Sequence, residues 1–139
     1  MGSEWAYPFS MPITVAFRDL DLLGHVNNAV YLSYFESARV AYGLHLAGRP
    51  DVSSLAFIVA EATVTYLRQA GYGDELEVGA RVSRIGTKSF TMEYGLRDCR
   101  TGDLVARGST VLVWFDYAAN QSMPVPKAFR AAVARDNMA

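Results

Sequence analysis

The chain divides by its hydrophobic rhythm. Near the start, Ile13, Val15 and Phe17 alternate with Thr14 and Ala16, the two-residue period of a short strand. From Asn28 to about His45 the rhythm changes. Tyr31, Tyr34, Phe35, Ala38, Ala41, Tyr42 and His45 recur at spacings of three and four, which predicts a long amphipathic helix. Asn27 or Asn28 suits its N-cap, because an asparagine oxygen can accept from an unpaired N–H of the first turn, and Gly43 and Gly48 mark its far end. Beyond the loop Gly48-Arg49-Pro50-Asp51, alternation returns. Ile58, Ala60, Ala62, Val64 and Tyr66 predict one face of a long strand, Leu76, Val78, Ala80 and Val82 the next, and Phe90, Met92, Tyr94 and Leu96 a third. Leu104 to Phe115 is apolar on both sides, as expected of an interior or interface strand. Gly71-Tyr72-Gly73-Asp74, Gly86-Thr87-Lys88 and Thr101-Gly102-Asp103 supply the turns, and Pro124 and Pro126 lead into a short helix carrying Phe129 and Val133.

The predicted order is strand, long helix, then four strands in a meander. Short connections after residue 70 favour antiparallel neighbours, so the fold class is α+β: one long central helix wrapped by a twisted antiparallel sheet. The 139 residues suit a single domain, 1–139, and 51% hydrophobic content is enough for a substantial core. A net charge of −1, with basic residues scattered, gives no pull toward nucleic acid or an anionic membrane. The apolar run Val111 to Phe115 is far too short to span a bilayer. The first residues do not read as a secretory leader, and the lone Cys99 can form neither an internal disulfide nor a zinc site, so a cytoplasmic location is the expectation.

The chemistry concentrates just before the long helix, in Asp19-Leu20-Asp21-Leu22-Leu23-Gly24-His25-Val26-Asn27-Asn28-Ala29-Val30-Tyr31. A helix start offers unpaired N–H groups and partial positive charge, and a carboxylate a few residues upstream can face the same small volume. That combination suits attack on a carbonyl whose oxygen becomes negative in the transition state. No metal-ligand cluster and no phosphate-binding glycine motif accompany it, so no cofactor is expected.

The run Asp21-x-x-Gly24-His25-Val26-Asn27-Asn28-x-x-Tyr31-x-x-x-x-Glu36-x-x-Arg39 resembles the 4-hydroxybenzoyl-CoA thioesterase-like acyl-CoA thioesterases of the hotdog-fold superfamily. Ala60-Glu61-Ala62-x-x-x-Tyr66-Leu67-Arg68-x-Ala70-x-x-Gly73-Asp74 fits the same family's second strand and following turn, and the resemblance covers residues from about 12 to 130. It implies a hotdog fold, hydrolysis of an acyl-CoA to a carboxylic acid and coenzyme A, and a homodimer or homotetramer with sites at the dimer interface. Coenzyme A then enters as part of the substrate.

By the resemblance Asp21 is the catalytic carboxylate, acting as general base on water or as nucleophile on the thioester carbonyl. Asn28 stands where the family uses a backbone N–H to bind the thioester oxygen. His25 is the second catalytic candidate. It could polarise water, orient Asp21 or donate to substrate, or simply fix the loop through backbone hydrogen bonds. Gly24, Val26, Asn27, Asn28 and Tyr31 are the expected substrate-binding positions, with capping an alternative role for both asparagines. Leu23 occupies the position where plant acyl-carrier-protein thioesterases have asparagine, although an acyl carrier protein stays open as carrier. Asp19 is expected to be structural or exposed, Glu36 and Arg39 to form a helix ion pair, and the aromatic stripe of the helix to be core. Arg68, Arg84 and Lys88 are candidates for the nucleotide end of coenzyme A. Two other readings share the fold: a hydratase or dehydratase of acyl thioesters, and a non-catalytic acyl-binding module.

Overall fold

A computed structural model describes residues 5–48 and 55–138. Strand β1 (Phe9–Thr14) is followed by helix α1 (Val30–Ala47), strands β2 (Phe57–Tyr66), β3 (Glu75–Ile85), β4 (Ser89–Asp98), β5 (Leu104–Asp116) and β6 (Gln121–Ser122), and helix α2 (Lys127–Met138). The loop Gly48-Arg49-Pro50-Asp51 falls outside the described residues except for Gly48, which ends α1 at a positive φ of 66°. All pairings are antiparallel, in the order β1-β3-β4-β5-β2, with β6 extending β5.

This order corrects the predicted four-strand meander. Of those four strands only β3, β4 and β5 are sequential neighbours, and β2 lies at the far edge beside β5. Residues 67–74 carry the chain from β2 at one edge across to β3, which lies beside β1 at the other edge, and the crossover is fastened to β5. The Leu67 and Arg68 N–H groups donate to the Val105 carbonyl, and the Arg68 guanidinium reaches Asp98 and Asp103 at 3.1 Å each.

The first strand also starts earlier than its apolar rhythm suggested. Phe9, Met11 and Ile13 are partly buried against the core while Ser10, Pro12 and Thr14 face out, and Phe17 sits exposed in a single 3₁₀ turn, Phe17–Asp19. Pro12 is tolerated because β1 is an edge strand. In β2 the expected single face, Ile58 to Tyr66, is split by a bulge between Val59 and Glu61. An extra residue exchanges the two faces of a strand whose period is two. Val59 and Ala62 consequently line a cavity beside α1, whereas Thr63 turns to the other face, its hydroxyl 2.8 Å from that of Ser109.

Helix α1 lies on the inner face of the sheet, and the aromatic stripe is core as expected. Phe35 is fully buried and stacks on Tyr94 with ring centroids 5.0 Å apart, and Tyr31, Tyr34 and Tyr42 are buried with it. Beneath the Phe35 ring, Gly108 of β5 leaves no space for a methyl group: a Cβ there would stand 2.6 Å from the ring and 2.7 Å from the Thr63 carbonyl oxygen. α2 closes the end of the core, with Phe129 against Phe90 and Trp114 at 4.8 and 4.9 Å. On the outer face, Trp5 and Tyr7 lie across Gly79 and Gly95 as a strap. Arg97 covers the Trp5 ring at 4.0 Å and Arg81 the Tyr7 ring at 5.6 Å, while the same arginines pair with Glu77 and Glu93. Among the described residues no helix is long and apolar enough to cross a membrane.

Candidate active site

The loop between β1 and α1 is a small closed unit. The Asp21 N–H donates to the His25 carbonyl at 2.8 Å, the Gly24 N–H returns to the Asp21 carbonyl at 3.1 Å, and Leu20 bridges Val26. Closing so tight a loop requires a left-handed residue, and Gly24 supplies it with φ 82°. The unit is then tied to the β2–β3 crossover: the Val26 N–H donates to the Ala70 carbonyl at 2.8 Å, and His25 bridges Gly71. Asp19 fastens its other end, as the structural role expected of it requires. The Asp19 carboxylate accepts from the Tyr34 hydroxyl at 2.8 Å and the Ala16 N–H at 2.9 Å, and its carbonyl accepts from the Asn27 N–H at 2.9 Å. Burial and then this hydrogen bond push the Tyr34 phenol far above its usual range, so it remains a donor.

Asp21 itself is exposed. One carboxylate oxygen, Oδ1, accepts from the N–H groups of Leu23 at 2.9 Å and His25 at 3.3 Å. The other, Oδ2, has no hydrogen-bond partner among the described residues. The side chain is therefore aimed by its own loop while one oxygen stays available.

The helix start is equally specific. Asn27 makes an Asx turn rather than capping one turn in: its Oδ1 accepts from the Ala29 N–H at 2.9 Å and its carbonyl from Val30 at 2.9 Å. The Asn28 N–H, between them, meets no acceptor among the described residues. The Asn28 carbonyl accepts from the Tyr66 hydroxyl at 2.9 Å, so Tyr66 holds the peptide group of the helix entrance. The Tyr66 ring meets the Tyr31 ring edge-on at 5.1 Å. Burial, ahead of the neighbouring charges of Asp21 and Asp74, raises the Tyr31 phenol pKa and keeps it protonated.

These parts converge. A cavity of about 330 Å³ is lined by Asp21, His25, Val26, Asn28, Tyr31 and Tyr66, with Arg68 at its rim. Five of the seven expected site residues thus face one space. Gly24 and Asn27 do not line it; they shape the turns on either side. Val26 contributes a buried wall, its N–H being already engaged. Of the three basic candidates only Arg68 lines this cavity; Arg84 and Lys88 lie at the β3–β4 hairpin. Tyr66 escaped sequence reasoning because it reads as the last apolar position of a strand, and its partner is a backbone carbonyl 38 residues away. Among the described residues no group of three or more His, Cys, Asp or Glu side chains could hold a metal ion.

The chain is similar to known proteins over most of its length. Residues 15–133 match the model of the thioesterase-like superfamily. An acyl-CoA thioesterase of Haemophilus influenzae is 29% identical over 128 residues, spanning 89% of this chain and 93% of that protein. The 1,4-dihydroxy-2-naphthoyl-CoA hydrolase of Thermosynechococcus vestitus is 30% identical, over 81% of this chain and 80% of its own. The crystal structure of a Thermus thermophilus thioesterase complexed with coenzyme A and zinc superposes with a TM-score of 0.88 at 38% identity, covering 97% of this chain and 98% of that one.

Proposed function

Because the chain belongs to the thioesterase-like superfamily and is a thioester hydrolase, we propose that it cleaves acyl-CoA to a carboxylic acid and coenzyme A, with Asp21 as the reacting carboxylate. One observation carries this reading. Asp21, with one carboxylate oxygen that has no partner among the described residues, and Asn28, whose N–H has none among them either, line the same cavity.

In this reading the thioester oxygen accepts from the Asn28 N–H at the positive end of α1. Asp21 takes a proton from water as the water oxygen attacks the carbonyl carbon. The C–S bond then breaks, sulfur leaves with the bonding electrons, and the proton passes to the thiolate. In the nucleophilic variant Asp21 attacks directly and water hydrolyses the resulting anhydride. Thiolates are good leaving groups, so a strong general acid is not needed. His25 lines the cavity while its N–H and carbonyl close the loop, which supports an orienting role. No cofactor takes part in this scheme.

The same reading includes a second copy of the chain. Asp21 is exposed, and β2 ends the sheet with Ile58 and Val59 on the surface. A homodimer joined along that edge, alone or paired again into a tetramer, would cover the cavity and exclude water. A cytoplasmic site of action fits the free thiol of Cys99.

The test follows thiol release and product acid over a panel of short, long, branched and aromatic acyl-CoAs, with enoyl-CoA alongside. Thiol release with stoichiometric acid is the expected result. Hydration of the enoyl double bond without thiol release would replace this reading with a hydratase, and binding without turnover would leave an acyl-binding module. The same assay reads the Tyr66 contact. Tyr66→Phe frees the Asn28 peptide, and kcat is expected to fall roughly ten-fold, the value of about one lost hydrogen bond, with KM little changed.

A further inference from the structure

Arg39 is a mostly buried cation with few partners among the described residues. It is 9% exposed, yet among the described residues its guanidinium meets only the Tyr94 hydroxyl at 3.4 Å and the Glu36 carboxylate at 3.7 Å. The second contact is the helix ion pair expected from the sequence, but it is loose, and the Glu36 side chain is mostly exposed. A guanidinium carries five N–H donors, and since Tyr42 Oη is the one fully buried side-chain N or O without a partner among the described residues, the remaining Arg39 donors are not sealed off in the core. They are available to an acceptor that enters the cavity beside them.

The space for that acceptor is present. Arg39 lines a cavity of about 210 Å³ with Leu32, Glu36, Val59, Ala62 and Thr110. Its walls are mostly apolar, with the Arg39 guanidinium and the Ser33 and Thr110 hydroxyls as donors and Glu36 as the one carboxylate. If the Tyr94 hydroxyl accepts from Arg39, it donates to Thr110 Oγ1 at 2.6 Å, and the Thr110 hydroxyl hydrogen is left to point elsewhere. The cavity is also in line with the Asp21 site. Leu32, Glu36 and Arg39 follow one another at spacings of four and three on one stripe of α1, and Asn28 stands four residues before Leu32 in the turn that leads into the helix. Tyr66 of β2 lines the first cavity and Ala62 and Val59 line the second, so β2 runs antiparallel beside that stripe. At about 1.5 Å per residue, Glu36 and Arg39 stand roughly 12 and 16 Å along the helix from Asn28, and their side chains lean back toward it.

We propose that this row is the acyl channel, and that Arg39 reads an oxygen acceptor at the far end of the acyl group. The substrate class is then an ω-oxygenated acyl-CoA, carboxylate or hydroxyl. The acceptor lies about ten bonds from the thioester carbonyl, given roughly 1.1–1.2 Å of reach per extended bond. The proposal rests on the reading of the Asp21 cavity as the thioester site. Arg39 acts on specificity and takes no part in the bond-breaking step.

The experiment compares decanoyl-CoA with its ω-hydroxy and ω-carboxy derivatives. Wild-type protein is expected to give kcat/KM at least about ten-fold higher for an ω-oxygenated thioester than for the plain one, the ratio that roughly 1.4 kcal/mol produces. In Arg39→Met that ratio collapses toward one, and Arg39→Lys keeps part of it for the carboxylate. Equal or better turnover of plain decanoyl-CoA by wild type overturns the proposal, as does an unchanged ratio in Arg39→Met. The wild-type comparison decides even if Arg39→Met fails to fold. Should no thioester be hydrolysed, the hydrolase reading fails, and calorimetry of decanoic against decanedioic acid decides the Arg39 proposal separately. Tighter binding of the diacid upholds it, and equal binding overturns it.

Discussion

Asp21→Asn is expected to lower kcat by about a hundred- to ten-thousand-fold, the range for loss of a positioned proton acceptor. Asparagine keeps an Oδ1 that can accept from the Leu23 and His25 N–H groups, so the loop retains its shape while the reactive oxygen is replaced by an amide. The residue is exposed, and the melting temperature should scarcely move. Asp21→Ala removes the loop acceptor as well and should be no more active than Asp21→Asn. An Asp21→Asn protein within a few-fold of wild type would end the assignment of this carboxylate. A single turnover in heavy-oxygen water gives positive evidence for the nucleophilic route. A general base puts solvent oxygen in the product acid alone, whereas an anhydride opened by water at its Asp21 carbonyl delivers an Asp21 oxygen to the product and leaves solvent oxygen in the carboxylate.

The second large effect is on stability. Gly108→Ala is expected to destabilise the fold by about 1–3 kcal/mol, at the upper end of that range, because its obstacles cannot yield. One is the Phe35 ring, fully buried and stacked on Tyr94; the other is the backbone carbonyl of Thr63, held in the β2–β5 ladder. At roughly 3–5 °C per kcal/mol for a chain of this size, the loss should be plain in a thermal melt. Gly95→Ala is the control. The atoms nearest its Cβ all belong to the Tyr7 side chain, on a strap outside the core, so a clearly smaller loss is expected. Equal losses at the two positions would show that the helix–sheet spacing at Phe35 is softer than its packing implies.

Local chemistry explains what the sequence made legible. The α1 stripe was readable because burial of Tyr31, Tyr34, Phe35, Ala38 and Tyr42 needs only a helical period. β3 and β4 were readable because one face of each is buried, and β5 because both of its sides are apolar. The strand order was not, since it depends on where residues 67–74 lead, and no period encodes a crossover. The bulge at β2 was hidden for a related reason: small and β-branched residues occupy both faces, so the alternation shows no break. At the site, Asp21 and Asn28 stood out by spacing and resemblance. Tyr66 and the tether of Val26 to Ala70 are contacts between distant segments, made through backbone atoms that every residue carries.

The strap across the outer face has a practical side. The chain holds two tryptophans, and the fold places them in unlike surroundings. Trp114 is buried among Phe57, Phe90 and Phe129, while Trp5 lies partly exposed beneath the Arg97 guanidinium on a segment outside the core. Fluorescence from the intact chain is therefore a sum of two reporters, one quenchable from solvent and one shielded. With Trp5 replaced by phenylalanine, emission would follow the core alone, and the difference between the two traces would time the docking of the strap apart from the folding of the domain.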